Sequence, residues 1–259
     1  MRVTRIGFTP LKGARHVEHP SVELSPDGPV GDRVLCLMDP ARDRVLRTVE
    51  NPTMLRVLAT VSDGRLGVTV ADRRVDGVPE PTGDVRKVDY WGRVAEVELL
   101  DGPWARLLAE HVGYDVALAR PTHAGDVVYG GSVSLVTSSS LHRLSARVGA
   151  PVDGARFRST FVINADHEGP GVEERWVGRE LSIGSAVVRV RGVIPRCAVV
   201  DLDPVSGSKD LPVLRTLAGY GRAEGAVPPA REPEFGVDAD VVRPGRVALH
   251  DPVGVGRIE

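Results

Sequence analysis

Cys197 stands where a thiol could do chemistry. It follows the apolar pair Val193-Ile194, a proline at 195 that stops strand pairing, and the guanidinium of Arg196. That setting favours the thiolate, the form that ligates metals or attacks sulfur. The alternative is a buried structural cysteine, the commoner fate of the residue type. Cys36, the other cysteine, alternates with Val34 and Met38 in an apolar run without adjacent charge and reads as structural. Thr137-Ser138-Ser139-Ser140 follows an apolar strand and opens a helix. Hydroxyls and unpaired N–H groups at a helix start suit a phosphate, and they equally serve plain N-capping. Arg156-Phe157-Arg158 could offer bidentate partners to an oxyanion, or simply face solvent. Lys12 and Gly31-Asp32-Arg33 bracket the first expected hairpin. Four separate segments thus offer cations, hydroxyls or a thiol to a polyanionic ligand.

Other chemistries lack their residues. There is no P-loop, no G-x-G-x-x-G after a strand and no G-x-S-x-G elbow. His16 and His19 share a polar segment without a zinc-spaced partner set and read as solvated. Only Lys12, Lys87 and Lys209 supply lysine, so 30 of the 33 cations are Arg. None sits where a Schiff base to pyridoxal phosphate would be expected.

The elements that must position these groups are mostly strands. Short β-branched runs at Val34–Met38, Val94–Leu99, Val133–Thr137 and Val187–Arg191 are bounded by Gly and Pro. Shorter runs lie at Val68–Val70, Phe161–Ile163 and Arg246–Leu249. Helices are expected over Trp104–Glu110, stopped by Gly113; over Ser140–Val148, stopped by Gly149; and over Leu211–Ala218, stopped by Gly219. The fold class is mainly β (α+β), built of barrels with a few short helices. A boundary near residue 120 divides the chain into 1–120 and 121–259, and Arg222 to Pro233 reads as a long exposed loop. With 33 basic against 35 acidic residues and a net charge of −2, no general affinity for nucleic acid is expected. No apolar run approaches the ~20 residues that cross a bilayer. A soluble cytoplasmic protein, with no membrane or nucleic-acid partner, is the expectation.

In order along the chain, these segments resemble the MOSC family, named for the C-terminal domain of molybdenum cofactor sulfurase. The likeness is to its two-part members of the mitochondrial amidoxime-reducing type, in which a β-barrel domain precedes the MOSC domain. Val3 to Gly13 is similar to the family's opening strand and "YPxKS", and Gly28 to Arg33 to "GLxGDR". Val133 to Leu141 resembles "VxLxTxASL", Arg156-Phe157-Arg158 "RFRPN", and Cys197 to Gly207 the "RCxxxxxDPxTG" block. Leu211 to Leu217 echoes "PLxTL", and Phe235-Gly236 and Pro244-Gly245 match closing segments.

The resemblance implies a molybdopterin cofactor with Cys197 as molybdenum ligand and catalytic residue. Lys12, Arg33, Thr137, Ser138, Ser139, Arg158 and Arg196 fall at cofactor-binding motif positions. The implied activity is reduction of small N-oxygenated substrates, with electrons from an external flavin or iron–sulfur protein. Two alternatives stand beside it. One is a sulfur carrier holding a persulfide on Cys197, received from a separate pyridoxal phosphate desulfurase. The other is a non-catalytic module that binds an anionic ligand. The chain departs from the family pattern at four places. Gly13 replaces the serine of "KS", and Ser159-Thr160 replaces Pro-Asn. Arg47 to Pro52 lacks the arginine of "TxRxxP", and Tyr220-Gly221 replaces "YR", with Arg222 next. These bear on how the cofactor is held more than on the fold.

Overall fold

The computed structural model describes residues 1–219 and 232–256, so the expected loop from Arg222 falls largely outside the described residues, as does Tyr220-Gly221. The molecule is mainly β, with three α-helices among the described residues. Val133–Thr137 is a strand over the span its alternation predicts, while Val187–Arg191 lies within a longer strand, Ala186–Pro195. The helices Trp104–Val112 and Ser138–Val148 both end on a left-handed glycine, Gly113 at φ 89° and Gly149 at φ 80°. Glycine is the residue that adopts this stop without a Cβ penalty. Two long strands have weak sequence signals: Glu80–Tyr90, exposed over its first half, and Glu234–Arg243.

Strands Glu80–Tyr90, Arg93–Asp101, Ala117–Pro121, Cys36–Asp39 and Arg44–Val45 close into a barrel. Cys36, Met38, Val88, Tyr90 and Val97 form one of its buried clusters. Burial pushes the Cys36 thiol up to about 12, which keeps it neutral and inert, as its place in the sequence suggests. The second body is an eight-stranded sheet in which Ala186–Pro195, Glu234–Arg243, Val133–Thr137 and Phe161–Asn164 are successive neighbours. Val133–Thr137 and Phe161–Asn164 run parallel, which requires a crossover, and the helix Ser138–Val148 lies within it.

Strand pairing crosses the expected division into 1–120 and 121–259. Arg2–Phe8 pairs antiparallel with Phe161–Asn164, and Ser21–Ser25 pairs with Gly245–Ala248. The opening segment is therefore part of the second body, and the barrel strands follow it, between Cys36 and Pro121. The cause is burial. Val3, Ile6, Val22 and Leu24 complete a core shared with Phe161, Trp176 and Val237. Each such side chain contributes roughly 1.5–3 kcal/mol when fully buried. Strand partners so far apart along the chain leave no local signal. The chain then passes from second body to barrel through residues 30–35, and the loops at that passage carry Lys12 and Arg33.

Candidate functional site

Lys12 lies just past the first strand, where Leu11 bridges Leu35 and the Lys12 N–H donates to the Leu35 carbonyl at 2.8 Å. Arg33 follows the glycine turn at Gly31; its own N–H donates to the Thr9 carbonyl at 2.7 Å. Asp32 accepts from Thr9 N–H at 3.2 Å and pairs with Arg33 at 2.6 Å, so one carboxylate ties this turn to the first loop and aims Arg33. Arg158 ends the short 3-10 turn Gly154–Phe157 in the left-handed region, at φ 51°. Arg196 and Cys197 leave the long strand Ala186–Pro195, and Cys197 caps the 3-10 turn Ala198–Asp201. Residues from both bodies thus converge. Lys12, Arg33, Arg158, Arg196 and Cys197 line one cavity of about 390 Å³.

The cavity is electropositive because most of its cations have carbonyl partners rather than carboxylates. Arg158 Nη1 donates to the Ala14 carbonyl at 2.8 Å. Arg196 donates to the carbonyls of Phe235 at 2.7 Å and Phe157 at 3.0 Å, while its Nη2 is buried with no partner among the described residues. Lys12 Nζ reaches the Leu46 carbonyl at 3.4 Å and lies 4.8 Å from the Tyr90 ring centroid. Carbonyls orient a cation without neutralising it. Removal from water, with Arg158, Arg33 and Arg47 nearby, brings Lys12 down to about 7. Burial likewise lowers Arg158 to about 10, helped by Arg33, and Arg196 to about 10. Gly236, at φ 71°, keeps this arrangement open: a Cβ there would stand 2.6 Å from the Leu135 carbonyl and 3.2 Å from Arg196 Nη2. The Cys197 thiol is free and exposed.

Three expected cofactor contacts are elsewhere. Thr137, Ser138 and Ser139 do not line the cavity. Their hydroxyls are spent in closing the helix start. Thr137 Oγ1 donates to the buried Glu173 carboxylate at 2.8 Å and accepts from Ser140 N–H at 3.3 Å. Ser138 Oγ donates to Asp166 at 2.8 Å, and Ser139 Oγ to the Gly169 carbonyl at 3.1 Å. Two carboxylates already occupy the electropositive end of this helix, which disfavours another anion there. Arg156 lines the cavity, but its guanidinium is a fork onto Asp210, at 2.8 and 2.5 Å, and braces the segment that follows Cys197. The expectation of solvated histidines also fails. His16 is buried with neither ring nitrogen partnered among the described residues, and burial beside Arg158 and Arg5 holds it well below its ordinary range. His19 stacks on Phe8 with ring centroids 3.6 Å apart.

The departures at Gly13 and Thr160 have local explanations. Gly13 sits at φ 87°, where an L side chain is strained, and a Cβ there would lie 3.4 Å from Thr48 Oγ1. Thr48 also lines the cavity, so a hydroxyl is present beside the position where the family's serine would stand. Thr160 and Ser134 exchange backbone-to-hydroxyl bonds at 3.2 and 3.1 Å, locking two strands, and Ser134 is the one that reaches the cavity wall. Sequence reasoning missed Thr48, Ser134, Tyr90, Trp91 and Tyr129 as lining residues. None carried a distinctive signal: even Trp91, an aromatic before a glycine, reads as ordinary strand-and-turn sequence.

The family model for the MOSC domain matches residues 120–254. The chain belongs to the MOSC family. MOSC domains are associated with molybdenum-cofactor binding in general. No curated protein matches the sequence. Among solved structures, the chain is similar to the YuaD protein from Bacillus subtilis, at 10% identity over 100% of this chain and 96% of that one, with a TM-score of 0.48. It is also similar to YiiM from Geobacillus stearothermophilus, at 16% identity over 49% of this chain and 55% of that one, TM-score 0.34. A third likeness is to a Bordetella bronchiseptica protein, at 14% identity over 41% of this chain and 88% of that one, TM-score 0.30. The residues of this MOSC protein fit an anionic, thiolate-ligated group. Among the described residues Arg196 Nη2 has no hydrogen-bond partner, Lys12 and Arg158 are held by carbonyls, and an exposed thiol shares their cavity. No helix among the described residues is long and apolar enough to cross a membrane.

Proposed function

We propose that the cavity holds a molybdenum cofactor and that the protein reduces small N-oxygenated substrates. The observation that carries this reading is the exposed Cys197 thiol in one cavity with Lys12, Arg33, Arg158 and Arg196. When bound, the cofactor supplies two-electron chemistry in which an oxygen atom is taken from the substrate. Cys197 provides a soft thiolate for the metal. Arg158 and Arg196 hold the anionic portion through charge-assisted hydrogen bonds, pre-aimed by the carbonyls of Ala14, Phe157 and Phe235. Arg33, fixed by Asp32, and Lys12 add positive charge from the barrel side. Electrons come from an external flavin or iron–sulfur protein.

The exposure of Cys197 favours a second reading, carriage of a persulfide received from a pyridoxal phosphate-dependent desulfurase. Turnover separates them. Purified from a host that makes the cofactor and supplied with a reduced viologen dye, the protein is expected to reduce benzamidoxime, and Cys197→Ala to abolish this while staying folded. Full activity in Cys197→Ala overturns the reading.

A further inference from the structure

Strands Glu80–Tyr90 and Arg93–Asp101 are joined by the two-residue turn Trp91-Gly92, with Tyr90 paired to Arg93. Both turn residues have positive φ, 56° and 77°. Such hairpins favour Asn, Asp or Gly at the first position, and a bulky side chain there is an outlier. Trp91 recovers little by burial, since it remains 40% exposed while Trp104 and Trp176 are in the core. Nevertheless its surroundings are built. The Arg47 guanidinium lies 4.5 Å from the indole centroid. Asp89 accepts from Arg47 at 2.8 Å and, through its other oxygen, from Gly92 N–H at 2.8 Å. One carboxylate therefore fixes both the turn and the cation stacked on the ring.

Turn preference and core packing both argue against tryptophan here, yet the ring lines the same cavity as Cys197, with exposed Tyr129 and the apolar side chains of Val49, Val127 and Ile194. Strained residues held by their surroundings cluster at ligand-binding sites. We infer that Trp91 is a stacking platform for the substrate, selecting aromatic over aliphatic N-oxygenated compounds. This rests on reading the cavity as a reductase site.

The test is equilibrium binding of benzamidoxime and acetamidoxime to the loaded protein without an electron donor, by calorimetry. Benzamidoxime is expected to shield tryptophan fluorescence from acrylamide, because Trp91 is the exposed one of the three indoles. Trp91→Leu should lower the benzamidoxime-to-acetamidoxime affinity ratio about fivefold. Trp91→Phe should restore most of it. Trp91→Asn, which suits the turn, should lose the preference without a lower melting temperature. An unchanged ratio in Trp91→Leu, or no shielding by benzamidoxime, overturns the platform. Shielding and preference in a protein that holds no molybdenum and reduces nothing would retain the platform and remove the reductase reading. Reduction with undiminished aromatic preference in Trp91→Leu would do the reverse.

Discussion

The start of the helix Ser138–Val148 and the cavity at Cys197 offer an anion similar inducements, and they end up opposite in character. At the helix start, Glu173 and Asp166 take the hydroxyls of Thr137, Ser140 and Ser138. Each of the four hydroxyls there has an acceptor, and two carboxylates stand beside them. In the cavity, among the described residues, Arg158 and Arg196 donate to carbonyls, one Arg196 nitrogen has no partner, and Lys12 is brought down to about 7. An anion site is marked less by the presence of donors than by donors whose charge the fold leaves uncompensated. The first arrangement stabilises a helix, and the second leaves positive charge facing a cavity.

The contrast can be broken by substitution. The largest expected effect is in the cavity, where Arg158→Ala should reduce retention of the extracted pterin at least about tenfold, the scale of a charge-assisted hydrogen bond. Ser139→Ala should leave retention unchanged. Comparable pterin loss in the two variants would erase the distinction. At the helix start the expected damage is to stability. Glu173→Ala strands the Thr137 and Ser140 hydroxyls and should cost about 2–3 kcal/mol in urea unfolding, with pterin retained. Thr137→Ala, which removes the cap, should cost about 1 kcal/mol by the same measurement.

The smallest effect sharpens the electrostatics. With a pKa near 7, Lys12 is charged below that pH and neutral above it. Its attraction for an anion is therefore present at low pH and lost as pH rises. Sulfate, which does not titrate in this range, should bind the cofactor-free protein a few-fold more weakly at about pH 8 than at about pH 6. Lys12→Arg should flatten that profile. A profile equally steep in Lys12→Arg would assign it to another group.

Much of this could be read from residue types and spacing, and the failures have physical causes. The strand Val133–Thr137 and the stops at Gly113 and Gly149 are local, so alternation and glycine suffice to locate them. Lys12, Arg33, Arg158, Arg196 and Cys197 share a cavity because motif order places each at a loop between elements, where side chains can converge. The hydroxyls of Thr137 to Ser139 could not be sorted the same way. Glu173, which takes the Thr137 hydroxyl, comes from a distant 3-10 turn, while Asp166 and the Gly169 carbonyl take those of Ser138 and Ser139, and only the fold shows that the helix start is already filled. Pairing of Arg2–Phe8 with Phe161–Asn164 is equally non-local. Trp91 escaped because an aromatic before a glycine reads as ordinary strand-and-turn sequence until its φ and its cavity are seen.

The most direct test of the central claim is the molybdenum and pterin content of the protein purified from a cofactor-making host, set beside Cys197→Ala. The account predicts close to one molybdenum and one pterin per chain, with the metal lost from the variant while the fold persists. Absence of both from the wild-type protein, or unchanged molybdenum in Cys197→Ala, would contradict it.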